Sequence, residues 1–142
     1  MKIGILLDNL MASQKAFSIL TNPHPAYLFL KQPSALCVPS DKPISCWHDI
    51  WSFDGAVIAT DFESAFLLSK LPISERYFYI WDLEWIRSNG PKNYIRNISL
   101  LQDKSIKLIS RSQSHSKMIK NYCGIKPHQI IENFHYEQLQ SN

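Results

Sequence analysis

The residues best suited to chemistry are polar side chains that follow hydrophobic runs of the sequence. Two acids, Asp82 and Glu84, stand one residue apart at the end of the aromatic and β-branched run 76–85. Two carboxylates at this spacing can chelate a hard cation. The pattern is also common by chance, and the simpler interpretation is that one acid caps a following helical turn while the other is solvated.

Similar polar groups follow the other hydrophobic runs, and together they form a predicted ligand rim. They are Asp8 and Asn9, Thr60 and Asp61, Asp82 and Glu84, Arg111 and Ser112, and Asn133. An acid in such a rim could act as a general base toward a hydroxyl, and Arg111 could meet a carboxylate or a phosphate. For each single residue the structural alternative, a helix cap or a turn, is the simpler one.

The elements that position these groups are short apolar runs alternating with segments of helical periodicity. Strands are predicted at residues 2–7, 26–30, 35–38, 56–59, within 76–85, at 106–110 and at 129–132, with a loop at 39–45 and a helical turn at 46–51. Continuous apolar runs are typical of strands that are covered on both faces. The alternation predicts an α/β fold, a doubly wound, mostly parallel sheet with helices on both faces, in a single Rossmann-like domain. Such sheets bind ligands at the carboxyl edge.

Helix boundaries are also predicted from local signals. Thr60 and Glu63 form a T-x-x-E capping box, and Asn9 or Ser13 caps the first helix. A later helix opens at Pro91, with an apolar face that includes Tyr94, Ile95, Ile98 and Leu101, and Gly124 ends the helix that follows Ser112.

Composition excludes several classes of protein. The 142 residues are 45% hydrophobic and 19% charged, which is typical of an ordinary globular domain. The net charge of +3 is spread along the chain, so a nucleic-acid partner is not expected. The three cysteines form no C-x-x-C pair, which indicates reduced thiols and a cytoplasmic location. No signal peptide or membrane span is expected.

Familiar cofactor motifs are missing from the sequence. With four glycines in the chain there is neither a G-x-G-x-x-G fingerprint nor a P-loop, and Asp8 brings a carboxylate to the first turn. We therefore expect no dinucleotide cofactor. The histidines show no metal-ligand spacing, so no metal is expected either. His115 is the one histidine placed in the first turn of a predicted helix close to a strand end.

The last third of the chain resembles the close of the N-terminal domain in GT-B type glycosyltransferases. That segment typically runs from a strand through a serine and a helix to a Y-G-I motif, and then to a strand ending in asparagine. The matching features here are Ser112, the sequence YCGI at 122–125, which is one residue longer, and Asn133. The order of the earlier strands also fits, and the whole chain looks like small glycosyltransferase-like proteins of phages. For such a protein the location would be the host cytoplasm.

The resemblance implies that this half binds the acceptor and supplies a base, with Asp8, Asp61 or Asp82 as the candidate. The other rim residues would bind ligand, and a nucleotide sugar would come from a second domain or a partner. The sequence departs from the family at the first turn, which is usually rich in glycine. We also expect the chain to lack the donor domain, so that transfer would need a partner protein.

A second hypothesis is a protein without catalytic activity that binds another protein or a second copy of itself. It is motivated by the tryptophans near 47–51 and 81–85, because tryptophan is enriched at interface hot spots. Four tryptophans in a buried core would look the same in the sequence. Whether the protein is an enzyme therefore stays open at this point.

Overall fold

The structure is a computed structural model that describes residues 2–8, 13–32, 41–86 and 90–139. Within these ranges seven strands form one sheet: β1 (Ile3–Leu7), β2 (Tyr27–Leu30), β3 (Ile44–Cys46), β4 (Ala56–Ala59), β5 (Arg76–Ile80), β6 (Lys107–Ser110) and β7 (Gln129–Ile130). All neighbouring strands run parallel, in the order β3-β2-β1-β4-β5-β6-β7. The predicted doubly wound Rossmann-like sheet is confirmed.

Helices cover both faces of the sheet, as the apolar strands require. They are α1 (Gln14–Thr21), α2 (Phe62–Leu68), α3 (Pro91–Leu101) and α4 (Gln113–Cys123). Every residue of β1 and β4 is buried. Alternate side chains of β1 therefore enter two cores: Leu6 joins the core under α2, α3 and α4, while Ile5 and Leu7 join the core under α1 and the C-terminal residues. None of the described helices is both long and apolar enough to span a membrane.

Three helix boundaries follow the sequence signals closely. Ser13 caps α1 by accepting a hydrogen bond from the Ala16 amide at 3.1 Å. Ser112 caps α4 in the same way, and Gly124 ends α4 in the left-handed conformation with φ of 79°. A residue without a Cβ adopts this conformation at no steric cost.

The capping box of α2 lies one residue later than predicted. Asp61 is the N-cap: its carboxylate accepts from the Ser64 amide at 2.7 Å, and the Ser64 hydroxyl accepts from the Asp61 amide at 3.2 Å. Thr60 instead donates its hydroxyl to the Leu6 carbonyl of β1 at 2.8 Å, and Glu63 forms a surface ion pair. The prediction of Thr60 and Glu63 as the box is wrong because Thr60 is still alongside β1, where a backbone acceptor takes its hydroxyl.

The third strand also differs from the prediction. Residues 35–38 lie outside the described ranges, and β3 occupies Ile44–Cys46, which takes in the end of the predicted loop and the first residue of the predicted helical turn. It pairs with β2 from Ile44 opposite Leu28 to Cys46 opposite Leu30. All three residues are only partly buried, so this edge strand lacks the apolar run by which strands are recognised in sequence.

The apolar face predicted for α3 is wrong at its first turns. Tyr94 and Ile95 are 52% and 70% exposed, whereas the buried residues are Asn97, Leu100 and Leu101. The C-terminal half of the helix is therefore the part that packs on the core. Helical spacing alone gave no means of telling the packed half from the exposed one.

The C-terminal residues 131–139 fold back over the α1 face and are held there by Tyr79 of β5. The buried Tyr79 hydroxyl donates to the Ile131 carbonyl and accepts from the Phe134 amide at 3.3 Å. Asn133 and Phe134 both have positive φ, of 50° and 58°. Such a backbone costs about 1–3 kcal/mol for a non-glycine residue, so tertiary contacts must impose it. The fully buried Phe134 ring, 4.3 Å from that of Tyr79, provides them.

We expect Tyr79→Phe to lower the free energy of unfolding by about 1–3 kcal/mol, because the Ile131 carbonyl and the Phe134 amide lose a buried partner. Denaturant unfolding would measure it. Tyr27→Phe is the matched control, since the Tyr27 ring is 39% exposed at the start of β2 and should lose a few tenths of a kcal/mol at most. Equal stability of the two variants would contradict the role of the Tyr79 hydroxyl.

Candidate functional site

The strand order reverses between β1 and β4, and a crevice opens there at the carboxyl edge of the sheet. From β1 the chain continues to β2 on one side through α1, whereas β4 leads through α2 to β5 on the other. The two connections diverge onto opposite faces, which leaves a gap above the strand ends. A cleft of about 320 Å³ lies there, lined by Asp8, Ser13, Gln14, Lys15, Asp61, Trp81, Asp82 and Glu84. We call it the rim cleft.

The rim cleft gathers all three acids that were predicted as candidate bases, together with Glu84. Asp8 follows β1, Asp61 follows β4, and Asp82 and Glu84 follow β5, so three neighbouring strands each contribute. The convergence results from the parallel arrangement, because successive strands end at the same edge. It brings carboxylates together that are up to 76 positions apart in the sequence.

Asp61 and Glu84 both hold the start of α2. The Asp61 carboxylate accepts from the Ser64 amide, and a Glu84 carboxylate oxygen accepts from the Phe62 amide at 3.0 Å. These amides have no partner within the helix, so each hydrogen bond satisfies an otherwise unpaired donor. The predicted cap role for one of the two acids after β5 therefore falls to Glu84, but on the helix after β4 rather than on the turn that follows.

Glu84 has an unusual environment for a carboxylate. Burial raises its pKa; the Phe62 amide opposes this, the negative charges of Asp61 and Asp82 add to it, and Lys15 opposes it. Asp82, by contrast, is exposed at the mouth of the cleft. The two acids of the D-x-E pair thus differ in solvation, and Glu84 holds a proton to higher pH than an ordinary glutamate.

Trp81 forms the apolar part of the rim cleft. Its side chain is 7% exposed, and the Arg111 guanidinium lies over its ring at 4.2 Å while donating to the Trp81 carbonyl at 3.3 Å. Arg111 is held against Trp81 and is not among the residues that line the cleft. Its predicted encounter with a ligand carboxylate or phosphate thus has no support from the cleft geometry.

The remaining rim residues have structural positions. Thr60 is buried and bonded to β1, and Ser112 caps α4. Asn133 is exposed beside β7 in the left-handed region, which asparagine tolerates well. Asn9 lies outside the described residues. The structure therefore brings the acids together and leaves Thr60, Ser112 and Asn133 out of the cleft lining.

His115, in the first turn of α4, has a ring nitrogen that is unusual among the described residues. Its Nδ1 is buried and has no hydrogen-bond partner. Burial and the positive charge of Arg111 lower its pKa, and Asp82 opposes them. The imidazole is therefore neutral at neutral pH, and it does not line the rim cleft.

Sequence reasoning did not select Lys15, Gln14 or Trp81 as site residues. Lys15 supplies a cation among four acids, and Trp81 supplies an aromatic wall. The only available signal was their position next to a predicted cap, Ser13, and a predicted strand end. Nothing in the local pattern shows that the first turn of α1 faces the end of β5, because these segments are more than 60 residues apart.

The arrangement is suited to a ligand that donates hydrogen bonds. Carboxylates accept from hydroxyl, ammonium or amide groups, whereas four acids around one cleft repel phosphate. Over the described ranges, no three histidine, cysteine or acidic side chains are grouped closely enough to hold a metal ion. The cleft can bind hydroxyls and remove a proton from one of them.

Comparison with known proteins adds no relative to this picture: no protein-family model, curated protein or solved structure matches the chain. The fold defines its class as a parallel α/β protein of Rossmann-like topology. Its candidate catalytic groups, the acids of the rim cleft, lie where the strand order reverses.

We expect Glu84→Gln to become progressively more stable relative to the wild type as pH rises above about 4.3, the pKa of an ordinary glutamate. A raised pKa in the folded state means that the folded protein binds the proton more tightly than the unfolded chain does. The contribution of Glu84 to stability is therefore present at low pH and is lost as pH rises through its folded-state pKa. Denaturant unfolding at a series of pH values would measure the difference.

Glu63→Gln serves as the control for that series, because it removes one exposed acid from α2, the helix whose start Glu84 contacts. Carbon-13 titration of the Glu84 carboxyl would give the shift directly. A stability difference between Glu84→Gln and the wild type that stays constant from pH 4 to 7 would contradict the prediction.

Proposed function

We propose that the rim cleft binds the hydroxyl-rich acceptor of a glycosyl transfer, and that the chain is an acceptor-binding domain of glycosyltransferase type. The observation that carries the proposal is the convergence of Asp8, Asp61, Asp82 and Glu84 on one cleft at the strand reversal. The resemblance of the last third of the chain to GT-B enzymes supports the same reading.

A sugar is the ligand class that best matches the chemistry of the cleft. Its vicinal hydroxyls donate hydrogen bonds that carboxylates accept, and each such charge-assisted bond contributes about 1.5–3 kcal/mol when buried. The small exposed part of the Trp81 side chain, which lines the cleft, offers an apolar surface to the carbon-bound hydrogens of a sugar ring. Lys15 offsets part of the negative charge of the four acids, so a neutral ligand such as a sugar can bind among them.

Asp8, Asp61 and Asp82 are the candidate bases in this proposal, and all three line the rim cleft. Asp61 also accepts a hydrogen bond from the backbone of α2, as does Glu84, so both carboxylates are fixed in position beside the other candidate bases. In the transfer step, one of the candidate bases would take the proton of an acceptor hydroxyl as its oxygen attacks the anomeric carbon of the donor, and the nucleotide diphosphate of the donor would leave. The donor sugar would be supplied by a partner protein or a further domain.

The alternative, a protein-binding module without catalysis, now depends on fewer residues than the sequence indicated. Trp81 and Trp85 are buried, and the Trp47 indole donates to the Leu7 and Phe29 carbonyls. Trp51 stays 56% exposed. An alternative interface at Trp51 would predict that Trp51→Ala abolishes recovery of a stoichiometric partner in a pull-down, with folding unchanged.

To test the proposal, the purified chain would be titrated with neutral hexoses and short oligosaccharides by calorimetry or ligand-observed NMR. We expect millimolar to micromolar binding, weakened about tenfold by Asp82→Asn or Asp8→Asn because one charge-assisted hydrogen bond is lost. Nucleotide sugars would be added in a second series, alone and with proteins that co-purify, to detect transfer.

Asp54→Asn is the matched control. Asp54 is exposed just before β4, at the amino edge of the sheet, and should leave sugar binding unchanged. The proposal fails if no sugar binds to the folded chain, or if the Asp54 variant weakens binding as much as the variants of the rim cleft.

A further inference from the structure

A second cleft adjoins the rim cleft and shares one wall with it. It has a volume of about 370 Å³ and is lined by Phe62, Glu63, Phe66, Glu84, Asn93, Arg96 and Asn97. Glu84 lines both spaces, so a ligand bound at the carboxyl edge can extend past this side chain without leaving the protein surface. We call the second space the helix cleft, because its other residues lie on α2 and α3.

The helix cleft differs chemically from the rim cleft. Arg96 contributes a guanidinium that stacks on the Phe66 ring at 3.9 Å, and stacking on a face leaves the N–H groups at its edge available. Glu63 forms an ion pair with Lys31, which offsets its charge. The net result is a space with hydrogen-bond donors, two aromatic rings and two carboxyls, of which Glu84 is shared with the rim cleft and Glu63 is paired with Lys31.

Asn97 is a buried polar side chain in the lining of this cleft. The residue is 8% exposed, and its carboxamide nitrogen donates to the Tyr122 hydroxyl at 3.5 Å, at the long limit of a hydrogen bond. A buried amide normally has its hydrogen-bonding capacity satisfied, because an unpaired polar group costs about 1–3 kcal/mol. The carboxamide nitrogen carries two N–H groups, and Asn97 lines the cleft, so its second N–H can donate to a polar group that enters there.

We propose that the helix cleft binds the N-acyl arm of an amino sugar whose ring lies in the rim cleft. This rests on the proposed function and names its ligand class. The acyl carbonyl accepts from Arg96 and Asn97, the acyl N–H donates to Glu84, and the methyl group packs against Phe62 and Phe66. A secondary amide is the small group that supplies an acceptor, a donor and an apolar end in this order.

Simple anions fit this space less well. A carboxylate or a phosphate would gain from Arg96 but would lie against Glu84 and close to the four acids of the rim cleft. A plain hydroxyl would leave the aromatic side of the cleft uncovered. The acyl arm can bond to the polar residues of the cleft and cover its aromatic rings.

The test compares matched sugars on the full chain. N-acetylglucosamine, N-acetylgalactosamine and N-acetylmannosamine are each titrated against the parent hexose, the free amino sugar and the corresponding uronic acid. For at least one of the three we expect the N-acetyl form to bind about tenfold tighter than its parent hexose, which is the lower end of the gain from one added charge-assisted hydrogen bond. The amine and the uronic acid should not reproduce this gain.

Arg96→Gln should bring the ratio of N-acetyl sugar to parent hexose close to one while leaving binding of the hexose itself intact. Lys92→Gln is the matched control: it removes one exposed positive charge from the same helix, away from both clefts, and should keep the ratio. Asp82→Asn should weaken both sugars of a pair alike and leave their ratio unchanged.

The outcomes separate the two proposals. The helix-cleft inference is overturned if all N-acetyl sugars bind as tightly as their hexoses, or if the acyl preference survives Arg96→Gln. It is also overturned if the amine or the uronic acid binds more tightly than the N-acetyl sugar. In each of these cases the rim cleft is left as a sugar site. Absence of binding by every sugar overturns the proposed function itself.

Discussion

The fold depends on the fact that the central strands have no side that faces water. All residues of β1 and β4 are buried, and so are the last four of β5. Parallel strands with this burial need helices on both faces. Each connection must also return over one face of the sheet to the amino edge, where the next strand begins. The polar residues that end each strand are consequently collected at one edge, and the reversal between β1 and β4 opens a gap among them.

The same acids that line this gap also stabilise the fold around it. Asp61 and Glu84 satisfy amides at the start of α2, and their carboxylates remain exposed to the cleft on the other side. Mutual repulsion among the acids is reduced by these amides and by Lys15. Asp61 and Glu84 are thus held in fixed positions, because their carboxylates are bonded to the start of a helix.

The face of the sheet that α1 covers is completed by the C-terminal residues. The C-terminal residues reach from β7 back to α1, where the Asn22 side chain donates to the Phe134 carbonyl at 3.3 Å and to Glu137 at 2.7 Å. Tyr136 donates its hydroxyl to the His24 carbonyl nearby. These contacts join the last described residues to the first third of the chain, at the end of α1. The other end of α1 lines the rim cleft through Ser13, Gln14 and Lys15, so the C-terminal residues help to hold this helix in place.

The sequence by itself determined the class of fold and most element positions. Continuous apolar runs, proline and glycine breaks and serine caps are local signals, and they located β1, β4, β5, β6 and the ends of α4 correctly. It also identified the acids at the carboxyl edge, because their position after a strand is a local property. Tertiary structure decided the rest: β3 is held by pairing with β2 rather than by its own composition, and Thr60 bonds to β1 instead of capping α2. The rim cleft brings together Asp8, Lys15, Trp81 and Glu84, and Arg96 stacks on Phe66 beside it. To predict either arrangement one must know which strands and helices are neighbours. Such neighbourhoods are set by packing across long sequence separations, and no local pattern of residues records them.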